Sequence, residues 1–223
     1  MLSNFDPQMF IIGLVVIVVS IALHEFGHAI SADRLGDPGP RLAGRVTLWP
    51  DKHFDPFGFI MIIVTLLAGF GLGWGKPVMV NPRNFEHPRR DMVIVAAFGP
   101  LMNLLLAVIF GLILRGIIAS GHEMALVDPS TGEYSITAKF LLSFLTINLA
   151  LMFFNLIPVH PLDGSKILSG LLPADLAYSY DRFVGAYGPI LLLILVFSGS
   201  GVIGTIIRPA VSSAARLLIG LPA

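Results

Sequence analysis

The sequence predicts an all-α polytopic membrane protein, folded as a helical bundle. Of the 223 residues, 55% are hydrophobic and only 13% are charged, about half the charged share of an ordinary soluble domain. A surface so poor in charge would not keep a globular protein of this size in solution. The formal net charge is zero and cysteine is absent. The neutral balance argues against nucleic acid as a partner, and the absence of cysteine rules out disulfides, thiolate metal sites and a cysteine nucleophile.

Four apolar stretches approach or exceed the ~18–20 residues that cross a bilayer. They are residues 9–30, 57–75, 92–114 and 140–157. A fifth stretch, 183–207, is apolar but rich in glycine. For the tail, 208–223, two structures stay open: an amphipathic helix in the membrane interface and a second short hairpin.

We expect residues 1–223 to form a single membrane-embedded domain. Its core is expected at 9–172, with a C-terminal helical region at 175–223. In the polar loops, the pieces R-V-T-L-W at 45–49 and K-P-V-M-V at 76–80 predict short β-strands.

Lysines and arginines of the loops predict the orientation in the membrane. Loops 31–55 and 76–91 are rich in these residues, whereas loop 119–138 has none. The positive-inside rule therefore places both basic loops in the cytoplasm. Stretch 57–75 lies between them, so we expect it to enter and leave at one face as a re-entrant or hairpin element, buried by surrounding protein. A plain crossing is the alternative, because the rule is statistical.

Residues His24, Glu25 and His28 fit the pattern H-E-x-x-H. On a helix the two histidines project from one face and can bind one Zn²⁺, while the glutamate can accept a proton from the attacking water. A packed histidine pair beside a snorkelling glutamate is the alternative. Each ionisable group inside a membrane costs on the order of 3 kcal/mol unless it is paired or hydrated, and a metal in a wet pocket removes that cost. The position of His24, roughly 22 Å along the helix from Met9, predicts a buried zinc site near the cytoplasmic face.

A catalytic zinc usually has three protein ligands and an open position. Asp163 follows stretch 140–157 in the run N-L-I-P-V-H-P-L-D-G, where two prolines unwind the helix end. On local grounds this aspartate is either a ligand or the cap of the next helix. The direction of the chain favours a ligand. If 57–75 is re-entrant, stretches 9–30 and 140–157 run in the same direction, and Asp163 emerges at the end that carries both histidines.

These motifs together resemble the site-2 protease family of intramembrane zinc metalloproteases. The matching segments are H-E-F-G-H in a membrane helix, N-x-x-P-x-x-P-L-D-G after a later one, and G-P-L-M-N at 99–103. The resemblance covers roughly residues 10–172. The loop G-W-G-K-P-V-M-V-N-P-R-N-F is similar to that of a small bacterial and archaeal subgroup, and we expect no PDZ or nucleotide-binding domain.

The resemblance implies three helices around a buried zinc and a multi-pass location in the cell membrane. Its implied ligands are His24, His28 and Asp163. Glu25 is then the catalytic carboxylate of a zinc metalloendopeptidase. The implied substrate is a membrane protein with a transmembrane helix, cleaved within or beside that helix in the lipid bilayer.

Other polar residues are candidates for supporting roles. Asn155 and Asn103 are candidates to orient the substrate or to stabilise the oxyanion, although intramembrane asparagines also form hydrogen bonds between helices. His160 is a candidate partner behind the ligands. It is less favoured as a fourth ligand, which would close the open position. We expect the histidines of the polar loops to be solvated; they are His53, His87 and His122.

Three other functions are compatible with parts of this pattern. A non-proteolytic zinc-dependent membrane scaffold or chaperone for client helices needs the ligands but does not need Glu25. A transporter that relays protons through histidine and aspartate predicts inverted repeats, and the sequence shows none. A zinc protease with a glutamate ligand is disfavoured, because Glu123 and Glu133 lie in an acidic loop opposite the site.

Overall fold

The computed structural model describes residues 6–68, 73–197 and 202–221, and this part of the chain is mostly helical. Its helices are α1 (Pro7–Arg34), α2 (Gly39–Leu42), α3 (Pro56–Ala68), α4 (Pro88–Ala119), α5 (Ile136–Asn155), α6 (Asp163–Leu171), α7 (Ala174–Phe197) and α8 (Val202–Ile219). Short 3₁₀ turns lie at Pro50–His53, Pro82–Asn84 and Glu123–Leu126. Within the described residues, α1, α4, α5 and α7 are long and apolar enough to cross a membrane. The prediction of a polytopic helical protein is confirmed.

Helices α1, α4 and α5 form the centre of the bundle. At one end, Ile12 and Val16 of α1 pack against Phe144 of α5. At the other end, His28 of α1 contacts Val95 near the start of α4. Since Asp163, just after α5, also reaches His28, helices α1 and α5 run in the same direction and α4 runs in the opposite direction. The chain direction on which the ligand prediction depended is therefore confirmed.

The segment between α1 and α4 begins and ends at the same end of the bundle, where Ala32 packs with Phe85 and Val95. Its apolar helix α3 has 13 residues, about 20 Å of helix, which is too short for the ~30 Å hydrocarbon core. The rings of Phe57 and Trp74 lie 5.8 Å apart, so the chain returns to where α3 begins. Stretch 57–75 is thus a hairpin, as predicted; residues 69–72 lie outside the described ones.

The prediction of short β-strands in the loops is wrong. Neither 45–49 nor 76–80 forms a strand. The two segments do meet, but through the side chain of Arg45, which donates to the backbone carbonyls of Lys76 and Pro77. A strand needs a ladder of backbone hydrogen bonds to a neighbour. Here the two segments are joined instead by hydrogen bonds from the guanidinium group of Arg45.

The tail forms a single helix, α8, and not a hairpin over the described residues. Its apolar face packs against the core cluster of α4 and α5, and the packed residues are Val211, Ala214, Ala215, Leu218 and Ile219. Of the two structures left open for the tail, the amphipathic helix is therefore closer to what is observed, although α8 packs against the bundle. Of the fifth apolar stretch, 183–207, residues 198–201 lie outside the described ones.

Candidate metal centre

Three side chains that the sequence predicts as metal ligands meet between α1, α4 and the start of α6. The Nε2 atoms of His24 and His28 lie 3.1 Å apart. The Oδ2 atom of Asp163 lies 3.1 Å from the first and 3.2 Å from the second. All three side chains are buried. Among the described residues, this is the one group of three such side chains close enough to hold a metal ion.

Two glycines let α1 and α4 approach each other closely at this point. A Cβ on Gly27 would lie 2.7 Å from Cγ of Met102. A Cβ on Gly99 would overlap the ring of His28 and lie 2.6 Å from Nε2 of His24. The G-P-L-M-N segment of α4 therefore begins with a residue whose missing side chain leaves room for the imidazoles.

Asp163 is the first residue of α6, directly after the turn that follows α5. The cap position belongs to Leu162, and no side chain caps this helix, so the capping alternative is not adopted. Oδ2 of Asp163 faces the two histidines, while Nζ of Lys166 lies 3.7 Å from Oδ1 of the same aspartate. The carboxylate is thus directed at the imidazoles and away from the backbone of its own helix.

The hydrogen bonds behind the histidines determine which ring nitrogen carries the proton. His28 Nδ1 lies 2.8 Å from the carbonyl oxygen of Val95, and a carbonyl only accepts, so Nδ1 is the donor. His24 Nδ1 donates in the same way to Oδ1 of Asn103, at 2.7 Å. In the neutral imidazoles that bind a metal, both Nε2 atoms then present lone pairs. This assignment follows from the hydrogen-bond partners.

With both imidazoles neutral, three lone pairs converge on one point. Oδ2 of Asp163 is buried and has no hydrogen-bond partner among the described residues. In a tetrahedral zinc site with bonds of about 2.0 Å, neighbouring donor atoms lie about 3.3 Å apart, close to the separations of 3.1–3.2 Å found here. Two imidazoles and a carboxylate are also donors that zinc prefers. The residues present fit a zinc ion.

A buried amide network extends from His24 into the centre of the bundle. Nδ2 of Asn103 donates to Oδ1 of Asn148 at 2.9 Å and to the carbonyl of Ser20 at 3.3 Å. Nδ2 of Asn148 donates to Oγ of Ser20 and to the carbonyl of Phe144, both at 2.8 Å. Both asparagines are fully buried. The sequence analysis missed Asn148, although an asparagine within the apolar stretch 140–157 was a usable signal.

The carboxylate of Glu25, the residue next to His24 in the sequence, has loop residues as partners. Its Oε2 accepts a hydrogen bond from the backbone N–H of Val78 at 3.2 Å and lies 3.7 Å from Nη2 of Arg45. Arg45 is itself only 5% exposed because it reaches the carbonyls of Lys76 and Pro77. The arginine and the hairpin's exit segment therefore determine together where the glutamate lies.

One loop histidine is not solvated, contrary to expectation. His53 is fully buried; its Nε2 lies 2.8 Å from the carbonyl oxygen of Thr47 and its own carbonyl accepts from the N–H of Lys76. Burial lowers the pKa of His53 below its ordinary value, and the nearby charge of Arg45 acts in the same direction. The remaining loop histidines, His87 and His122, are exposed as expected.

A buried aspartate organises the loop beyond Glu25. Asp37 accepts hydrogen bonds from the backbone N–H groups of Gly39 and Asn81 and from the side chain of Asn84. Burial alone would raise the pKa of Asp37, but these hydrogen bonds outweigh it and lower the pKa below its ordinary value. The sequence analysis did not identify this residue, which fixes the segment that follows Val78.

The remaining candidates have different surroundings. Asn155 is at the end of α5, and its amide donates to the carbonyl of Leu151 in the same helix. The side chain of His160 is exposed, and its backbone packs against Gly188 of α7. Asn103 contacts a ligand histidine on the far side from the cluster. The predicted roles of these three residues toward a substrate stay predictions.

Comparison with known proteins gives one family and several curated relatives. The sequence model described as "Peptidase family M50" matches residues 12–197. A Bacillus subtilis protein named "Putative zinc metalloprotease YwhC" is 39% identical over 188 residues, which cover 84% of this chain and 81% of the relative.

More distant relatives carry a similar name. Proteins named "Putative zinc metalloprotease Rip2" are 31% identical over 66% of this chain in Mycolicibacterium smegmatis and 34% identical over 68% of it in Mycobacterium tuberculosis. The chain spans about half the length of these Rip2 proteins. No solved structure gave a significant match.

Proposed function

Because the chain belongs to peptidase family M50, the site-2 protease family, we propose that it hydrolyses peptide bonds in or next to the transmembrane segments of other membrane proteins. The family and the relatives' names support a multi-pass membrane zinc metalloprotease. The observation that carries the proposal is the buried triangle of His24, His28 and Asp163, whose two histidines lie on a helix long enough to span a bilayer.

In the proposed reaction, His24, His28 and Asp163 would hold the zinc. A zinc ion bound there would lower the pKa of water and polarise the scissile carbonyl. Glu25 accepts the proton of the attacking water and later passes it to the leaving amine. Since Val78 and Arg45 both contact Oε2, we assign the proton transfer to Oε1.

The location of the site supports a substrate within the membrane. The ligands lie between α1 and α4, two helices with the length and hydropathy of membrane spans. Nearly all of the ligand surface is covered by protein. A peptide bond that reaches these residues must leave its own helix first, because the amide of an intact helix is hydrogen-bonded internally.

The decisive experiment compares cleavage and metal content in the full chain, purified in detergent. Wild type, Glu25→Gln and Asp163→Ala are assayed on a panel of single-span reporter proteins, with the cut sites mapped by mass spectrometry. We expect about one zinc per wild-type chain and cuts in or beside the span. Glu25→Gln should keep the zinc and lose activity by about 10²–10⁴-fold, while Asp163→Ala should bind less zinc.

Each contrary result points to a different error. Cleavage that survives in Glu25→Gln would overturn the proposed mechanism. Cuts confined to the soluble parts of the reporters would overturn the proposed substrate class. Zinc at the expected content with no cleavage of any reporter would favour the non-proteolytic scaffold.

We also propose that the site lies near the cytoplasmic face of the cell membrane. Basic residues cluster at the end of the bundle that carries the ligands, as the positive-inside rule requires. They include Arg34, Arg41, Arg45, Lys52, Lys76, Arg83, Arg89 and Arg90. The loop between α4 and α5 at the other end has Glu123, Asp128 and Glu133 instead.

Single cysteines test this orientation, because the chain has none of its own. Leu42 lies at the site end and Met124 at the opposite end, and both are strongly exposed. We expect a membrane-impermeant maleimide to label Met124→Cys in intact cells and Leu42→Cys only after permeabilisation. The reverse pattern would place the site at the outer face.

A further inference from the structure

The hydrogen bonds of the asparagine network behind His24 have a fixed donor-to-acceptor direction, which the sequence motifs do not show. The carbonyl of Phe144 can only accept a hydrogen bond, so the side-chain atom of Asn148 that lies 2.8 Å from it must be Nδ2. Oδ1 of Asn148 then faces Asn103 and can only accept, which makes Nδ2 of Asn103 the donor. Oδ1 of Asn103 is left for His24. Each step fixes the orientation of the next amide.

We infer that Asn148 is a positioning residue of the metal site, which acts through Asn103 to keep the proton of His24 on Nδ1 and the lone pair on Nε2. This inference rests on the proposed function, because the lone pair matters only if His24 binds a metal. Asn148 contacts neither Asp163 nor the histidines in the described hydrogen-bond network. Its effect on the site is therefore indirect.

Without Asn148, little in the bundle would determine the orientation of the Asn103 amide. The remaining contact of Asn103 Nδ2 is the Ser20 carbonyl at 3.3 Å, which is longer than the mode for such bonds. A flipped Asn103 would present Nδ2 to His24 Nδ1, which favours the tautomer with the proton on Nε2. That tautomer cannot donate a lone pair from Nε2 to a metal.

The test compares two nearly isosteric substitutions in the full chain. Asn148→Leu removes the acceptor for Asn103. Asn148→Asp keeps it, because a buried, protonated carboxyl group can donate from one oxygen to the Phe144 carbonyl while its other oxygen accepts from Asn103. Thr146→Val is the matched control on α5, since the hydroxyl of Thr146 donates within its own helix, to the carbonyl of Leu142.

Two readouts separate this role from packing and from catalysis. The first is the ¹⁵N NMR spectrum of histidine-labelled, metal-free protein, with the His24 signals assigned by their loss in His24→Gln. The second is zinc affinity, measured by competition with a chelator. We expect Asn148→Leu to populate both tautomers of His24 and to bind zinc about 10-fold more weakly, within the range for residues behind a ligand. Asn148→Asp and Thr146→Val should match wild type in both readouts.

Several outcomes would overturn the inference. One is a wild-type tautomer and affinity in Asn148→Leu; another is an equal loss in Asn148→Leu and Asn148→Asp, which would indicate packing. If Asn148→Leu does not fold, Asn148→Ala takes its place in the same comparison. If the wild type binds no zinc, the proposed function fails, while the tautomer of the metal-free protein still tests the role of Asn148.

Discussion

One helical turn of α1 carries a metal side, His24 and His28, and a glutamate side, Glu25, and the two are supported in different ways. On the metal side, the partners of His24 and His28 come from α4 and α6, and the asparagines behind them come from α4 and α5. On the glutamate side, the partners of Glu25 come from Arg45 and from the segment after the hairpin. The metal side is built from helices packed in a bundle, and the glutamate side from loops held by one arginine. A change on one side should therefore leave the other side intact.

The largest expected effect comes from filling the space between the histidines. In Gly99→Ala the new methyl group would overlap the ring nitrogens of His24 and His28. We expect the loss of most bound zinc and at least about a 100-fold loss of proteolysis, measured by metal analysis and reporter cleavage. Gly116→Ala on the same helix is the control, because a Cβ there meets nothing within 4 Å. Full zinc content in Gly99→Ala would show that the metal side is not rigid.

An intermediate effect is expected on the glutamate side. Arg45→Met removes the guanidinium that joins Glu25 to the carbonyls of Lys76 and Pro77. We expect cleavage to fall on the order of 10- to 100-fold through misplacement of the carboxylate, with zinc content unchanged. Arg41→Met is the control, since Arg41 is exposed and pairs with Asp33. Loss of zinc in Arg45→Met would mean that the two sides are coupled.

The smallest expected effect is on the pH dependence of stability, and it tests whether water reaches His53 on the glutamate side. Burial lowers the pKa of His53 in the folded protein, while the unfolded value is about 6.5. Below that pH the unfolded chain binds a proton on His53 that the folded protein excludes. The contribution of neutral His53 to stability is therefore present above about pH 6.5 and is lost as the pH falls. We expect His53→Gln to flatten the decline of the melting temperature between about pH 7.5 and 5.5.

The exposed His122 supplies the comparison for that measurement. His122→Gln should leave the slope unchanged, because the side chain of His122 is exposed and its partner is the nearby hydroxyl of Ser120. An equal slope in His53→Gln and wild type would show that His53 is hydrated in the folded protein.

The helix-borne half of the site follows from the sequence alone. A fixed spacing puts His24 and His28 on one face, and loop charges determine the chain direction that brings Asp163 to them. The amide network depends on how α5 is rotated against α4, which a stretch of mainly apolar residues does not reveal. Asn148 is visible in the sequence as a polar residue, but its partners are not.

The loop-borne half could not be predicted in the same way. Arg45 and His53 lie in polar segments whose local pattern favours solvation. In the fold both are buried, and both contact residues beyond the hairpin. The error over β-strands has the same origin. Local propensity at 45–49 and 76–80 favours extended chain, whereas a strand depends on a neighbour that the sequence does not specify.

The ligand triangle also has a consequence for biosynthesis. His24 and His28 emerge early from the ribosome, while Asp163 follows more than a hundred residues later, on the order of ten seconds at ordinary rates of synthesis. The unfinished chain therefore carries only two of the three donors, together with a glutamate whose loop partners come from the intervening segment. A nascent or prematurely terminated chain cannot assemble the centre, so a complete set of metal donors belongs only to chains that have completed α5 and begun α6.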